Sequence, residues 1–225
     1  MEIYFKRGST LFETNDELSD IDLGCIVDDD YDLSSFSHST ETGFENRLFC
    51  ETTERDGKKM DIQYVRESDF IDMVKEHNIF AMEALFQEPC SGYLKYFELD
   101  RWKLRQEFSD VSSNSWVKAK KKMTVEKDLD MRCGAKSLFH SMRILMFAVQ
   151  IARHGKITHY NCGVLLNNGI MEDLKNGFGW DDFNKKYKPL WKEWHHEMVE
   201  ECPKPEEYIQ KKKKKTNDSI CLKRK

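Results

Sequence analysis

The sequence predicts an α+β fold, a small mixed sheet with flanking helices followed by a C-terminal helical region. Three observations carry this expectation. Two-residue apolar alternation is concentrated in the first 65 residues. From Ser68 onward the apolar spacing becomes helical. One long segment, residues 134–154, has a wide apolar face suited to the buried centre of a bundle.

In chain order, Ile3 and Phe5 read as a first strand, and Ile21, Leu23, Cys25 and Val27 as a second, alternating with charged or small neighbours. A helix running through Leu11 to Thr14 is expected to link them. Residues 28–43 are polar and read as a loop. Met60, Ile62 and Tyr64 alternate with Asp61, Gln63 and Val65 as a later strand. Ser68 is an N-cap candidate for a helix carrying Phe70, Met73, Val74 and His77, and Phe80, Glu83, Ala84 and Leu85 suggest a second short one. The central helix carries Leu138, Phe139, Met142, Leu145, Met146, Val149 and Ala152 and stops at Gly155. Another begins near Asp181, with Phe183, Tyr187, Leu190, Trp191 and Trp194 on its inner side. Pro203 and Pro205 then loosen the chain. The expected division is residues 1–110, 111–202, and a flexible basic tail at 203–225.

A formal charge of -4 from 36 Lys+Arg and 40 Asp+Glu conceals a gradient. Residues 1–70 hold 18 acidic and 7 basic side chains, whereas residues 211–225 hold 8 basic and 1 acidic, so the segments have different partners in view. The most apolar run, residues 144–149, is far below the roughly 20 residues of a membrane-spanning helix. Glu2, Lys6 and Arg7 interrupt what would be the apolar stretch of a signal peptide. Seven scattered cysteines without a Cys-x-x-Cys pair fit reduced thiols. A cytoplasmic location without membrane contact is expected, with nuclear import open through the basic tail.

The most informative stretch is Lys6-Arg7-Gly8-Ser9, followed by Asp20-Ile21-Asp22. Gly8 permits close backbone approach, and Ser9 offers a hydroxyl and an amide to phosphate oxygens. Asp20 and Asp22, two apart in a strand, leave the same face and can hold Mg²⁺ through hard oxygen ligands. A third carboxylate is needed to orient an attacking hydroxyl or complete a metal site, and Asp61 in Lys59-Met60-Asp61-Ile62-Gln63 is the candidate. Glu51, Glu54 and Asp56 compete with it.

This arrangement resembles the DNA polymerase β-like nucleotidyltransferase superfamily, whose signature is Gly-Ser or Gly-Gly, an Asp-x-Asp or Asp-x-Glu strand and a later strand carboxylate. Within it, the chain is most similar to predicted nucleotidyltransferases associated with RNA ligases. Ser9, Thr14-Asn15 and Ser19-Asp20 sit in register with that family's motif, while Thr10 replaces a His, Phe12 a Tyr, Glu13 a Gly and Glu17 a Pro. Met82-Glu83-Ala84-Leu85-Phe86, the run from Lys136 through His140 to Arg143-Ile144-Leu145, and Gly155-Lys156-Ile157 extend the similarity over about residues 5–160.

The resemblance implies a nucleotidyltransferase domain in residues 1–110 that acts on a nucleoside triphosphate with Mg²⁺, or Mn²⁺, and releases pyrophosphate. It implies Asp20, Asp22 and Asp61 as catalytic and metal-binding residues, and Gly8 and Ser9 as phosphate-binding. Lys136 and Arg143, seven apart on one helix, either neutralise the triphosphate or are surface side chains resting on apolar stems. His140 shares their face. RNA is the leading acceptor, from the RNA-repair setting of the family, and a protein hydroxyl is the next. The competing expectation is an inactive module of the same fold that binds nucleotide, RNA or a protein. The lysines at 118, 120, 121 and 122 with Trp116 read either as a nucleic-acid contact or as a solvated helix face. His195-His196 with Cys202, and His159 with Cys162, lack a four-ligand zinc spacing.

Overall fold

The computed structural model describes residues 1–15, 19–38, 47–55 and 57–206. The lysine run at 211–215, the basic residues 223–225, Asp56 and Glu17 lie outside the described residues. Among the described residues no helix is long and apolar enough to cross a membrane, and the six described cysteines are free.

Strands β1 (Glu2–Lys6), β2 (Ile21–Val27), β3 (Ser37–His38), β4 (Leu48–Arg55) and β5 (Lys58–Arg66) form one mixed sheet in the order β1-β2-β5-β4-β3. β2 and β5 run parallel, and the other neighbours are antiparallel. Alternation divides the strand residues between two apolar layers. Phe5, Ile26, Leu48 and Val65 pack into the main core with the helices, whereas Cys25, Val27, Ile62 and Tyr64 are covered by Leu33, Tyr31 and Phe36. The outer edge of β1 is closed by Gln87, which donates to the Lys6 carbonyl at 3.0 Å and accepts from the Lys6 amide at 3.1 Å.

The helices are α1 (Gly8–Leu11), α2 (Glu67–Glu76), α3 (Ile79–Leu85), α4 (Arg101–Thr124), α5 (Met131–His154), α6 (Val164–Lys175) and α7 (Trp180–Glu201), with a 3-10 segment at Glu88–Tyr96. α4 starts on Asp100, whose carboxylate accepts from the Trp102 and Lys103 amides at 2.9 and 3.0 Å. α5 starts on Asp130, which accepts from the Cys133 amide at 2.9 Å, and ends at Gly155 with φ +71°. The long helices α4 and α5 pack on each other and both contribute to the two large apolar clusters.

Several expectations are corrected. The early helix occupies Gly8–Leu11, not residues 11–14, because Glu13 takes φ 56° and leaves the helical region. β4 was hidden by its charged and threonine-rich face. α2 begins at Glu67, and the Ser68 amide is capped from outside by Asp29 at 3.0 Å rather than capping the helix itself. Leu190 is 39% exposed, unlike Phe183 and Tyr187. α4 spans Arg101–Thr124 and so runs across residue 110.

Candidate functional site

The register of β2 and β5 sets Asp22 opposite Asp61. Residues paired across parallel strands share a face. Asp20 falls just outside β2, so strand alternation does not place it, but Lys59 Nζ, bonded to both Asp20 and Asp61, ties it to the pair. Further along, this face buries Ile26 and Val65 against the helices. The three carboxylates therefore sit at the rim of the helix-covered side, each only partly buried.

The turn after β1 closes over this rim. The Arg7 amide donates to the Asp22 carbonyl at 3.0 Å, and Gly8 follows with φ +54°. A Cβ at Gly8 would overlap the Asp22 carboxylate, so glycine is required both for the backbone conformation and for the contact. Ser9 lies in the single turn of α1, which is too short for a sizeable dipole. Its hydroxyl and amide are the useful groups there.

Asp22 and Asp61 have different surroundings. Burial pushes the Asp22 pKa up, Arg7 pulls it down, Asp61 and Asp20 push it up, and the outcome is a raised value. Burial also pushes Asp61 up, but hydrogen bonds from Lys59 and Thr52 outweigh it and leave that pKa lowered. Thr52, opposite Asp61 across β4 and β5, donates from Oγ1 to Asp61 Oδ1 at 2.6 Å. Lys59 Nζ donates to Asp61 Oδ2 at 2.7 Å and to Asp20 Oδ2 at 3.2 Å. Lys59 and Arg7 are the site residues that the motif contained without revealing. The signal for Lys59 was its position two before Asp61, which places both on one strand face.

The helices bring positive charge to this rim. Lys136 on α5 is exposed and close enough to pull on the Asp22 carboxylate. Arg7 packs over the Phe80 ring at 4.4 Å, and its Nε has no hydrogen-bond partner among the described residues. Arg143 is a correction, because it does not join the exposed cations. It is 2% exposed, lies 3.2 Å from the Phe12 ring centroid, and pairs with Glu83 at 3.0 Å. Its guanidinium also donates to His140 Nδ1, which leaves the proton of a neutral imidazole on Nε2. Burial, then Arg143, Arg7 and Lys118, hold the His140 pKa well below its usual range, so the ring is neutral at pH 7.

The donor chemistry fits a hard divalent cation: three carboxylates at one rim, with the Lys59 ammonium standing as a cation between two of them. As they stand, no three His, Cys, Asp or Glu side chains among the described residues converge as a ligand set. Two cavities lie elsewhere, one of about 500 Å³ walled by Asp29, Tyr31, Phe36 and Arg66, the other of about 790 Å³ walled by Lys75, Tyr96, Trp102 and Pro203. The carboxylate rim is the stronger candidate because registered acids meet facing cations there, and catalysis needs that chemistry more than depth.

Trp116 is buried against Trp180 and Trp191 with centroids 5.8 and 5.7 Å away, so it offers no face to a base. Lys121 pairs with Asp128 at 3.0 Å. His195 stacks on Trp191, His196 Nε2 lies 3.3 Å from Glu200 Oε1 one helical turn on, and Cys202 is buried, an arrangement of packing and local surface contact. No protein-family model and no curated protein matches the chain.

Proposed function

We propose that the chain is a metal-dependent nucleotidyltransferase with a DNA polymerase β-like fold, which transfers a nucleoside monophosphate from a nucleoside triphosphate to a hydroxyl acceptor. The observation that carries this reading is the in-register pairing of Asp22 with Asp61 beneath the Gly8 turn. Asp20, Asp22 and Asp61 would hold Mg²⁺ or Mn²⁺. The bound cation supplies charge neutralisation for the triphosphate and the departing pyrophosphate.

The chain's own residues do the rest. The Gly8-Ser9 turn receives the β- and γ-phosphates through its backbone and the Ser9 hydroxyl. Lys136 faces them from α5, and the Nε2 proton of neutral His140 adds a hydrogen-bond donor. Arg143 acts at one remove by fixing the His140 tautomer. The acceptor oxygen bonds to the α-phosphorus, the bond to the α,β-bridging oxygen breaks, and Asp61 takes the hydroxyl proton. RNA is the first acceptor to test, on the similarity to RNA-ligase-associated enzymes, and a protein hydroxyl is the second.

A second reading draws on the same cluster. With Lys59 satisfying two of the acids, a catalytically inactive module that binds nucleotide, RNA or a protein would also be stable. The deciding experiment supplies each labelled nucleoside triphosphate, Mg²⁺ or Mn²⁺, and mixed RNA and protein acceptors. Wild type is compared with Asp20→Ala/Asp22→Ala. The expected result is a labelled acceptor and pyrophosphate from wild type alone. Label retained by the double variant would sink the carboxylate assignment, and no turnover across the panel would favour the inactive module.

A further inference from the structure

We infer that Lys59 is the resident counter-ion of the carboxylate rim and a brake on divalent-cation binding, released from Asp20 and Asp61 as the cation enters. The inference rests on the metal reading proposed above and adds its regulation. Lys59 Nζ lies 2.7 Å from Asp61 Oδ2 and 3.2 Å from Asp20 Oδ2, so one ammonium holds two of the three proposed ligands. Mg²⁺ draws its oxygen ligands to about 2.0–2.1 Å in near-octahedral arrangement, and an ammonium already bonded to two of those carboxylates repels the cation and competes with it for their lone pairs.

The surroundings suit an exchange. The Lys59 side chain is 51% exposed, on a flexible four-carbon stem near the start of β5, and can swing into water without disturbing the core. Thr52 holds the other Asp61 oxygen and keeps the carboxylate aimed while Lys59 leaves. With Lys59 in place, cation binding must break two charge-assisted hydrogen bonds and overcome like-charge repulsion. Arg7 and Lys136 couple to Asp22 instead, the acid that Lys59 does not bond. One lysine thereby stabilises the rim without metal and raises the metal concentration at which it fills.

The test measures Mn²⁺ binding to the full chain by the loss of the free-ion electron paramagnetic resonance signal. Wild type is compared with Lys59→Gln, Lys59→Met and Asp20→Asn, each checked for unchanged circular dichroism. Both Lys59 variants are expected to bind Mn²⁺ about ten-fold more tightly than wild type at low salt, with the gap narrowing as salt rises. Asp20→Asn is expected to bind more weakly. Equal affinity in wild type and the Lys59 variants would overturn the inference and leave the metal site standing. Weaker binding in both variants would also overturn it and make Lys59 an organiser of the ligands. Absence of Mn²⁺ binding throughout would overturn the metal reading and the inference with it.

Discussion

On the proposed function, Asp22 is the residue at which catalysis and stability oppose each other. Its pKa is raised chiefly by burial, so the folded state holds the acidic proton better than the unfolded chain does. That contribution is complete below the ordinary value of 3.8 and is lost as pH rises through the raised value. Asp22→Asn is therefore expected to raise the melting temperature of the metal-free protein at neutral pH by about 2–4 °C, with the gain in urea-unfolding free energy growing as pH rises above the ordinary 3.8 and through the raised value. On the proposed metal reading, the same variant should lose any thermal shift that Mn²⁺ produces in wild type. Asp61 has the opposite sign, because Lys59 and Thr52 lower its pKa. Its contribution is present above 3.8 and is lost as pH falls through the lowered value. Gly8→Ala meets both a left-handed φ and the Asp22 carboxylate, and should cost stability by about 1–3 kcal/mol and, on the proposed function, abolish nucleotidyl transfer. Urea titration beside the labelling assay checks both effects.

At the scale of elements, α3 and α5 are tied by an ion pair through Arg143, which the helical spacing had placed beside Lys136, either at the triphosphate or at the surface. Glu83 and Arg143 are nearly inaccessible, and Tyr160 adds a hydrogen bond from its hydroxyl to the Glu83 carbonyl at 3.0 Å. Removing one partner strands a buried charge. Arg143→Ala or Glu83→Ala is expected to cost about 3–5 kcal/mol, whereas Glu83→Leu/Arg143→Met together should recover most of that loss. Denaturant titrations of all three variants test it, and a single variant costing under about 1 kcal/mol would contradict the buried pairing. The seven-residue interval placed Lys136 and Arg143 near one helix face, but Lys136 lies on an open turn and Arg143 beneath Phe12. A side chain's reach and the neighbours above it are settled between elements.

For the whole molecule, the continuity of α4 across residue 110 joins the sheet to the helical region. The main cluster includes Leu104 and Phe108 of α4, while Trp116, Ala119 and Met123 of the same helix belong to the second cluster. Between them Trp191 Nε1 donates to Ser112 Oγ at 2.9 Å, and Ser112 donates to the Ser141 carbonyl at 2.7 Å, linking α7, α4 and α5. Thermal unfolding is accordingly expected as one cooperative transition, with tryptophan fluorescence and far-ultraviolet circular dichroism coincident. Two separated transitions would favour a division near residue 110 instead.

Local patterning in the sequence determined the α+β class, the strand that carries Asp22 directly after Asp20, the Gly8 turn and the central helix with its glycine stop. Each follows from short-range periodicity or backbone freedom. The parallel register of Asp22 with Asp61, the strand β4 that brings Thr52, the Lys59 bridge and the interior fate of Arg143 came only with the tertiary structure. Strand pairing and burial depend on contacts between residues distant along the chain, and the spacing of residue types does not encode which of them meet.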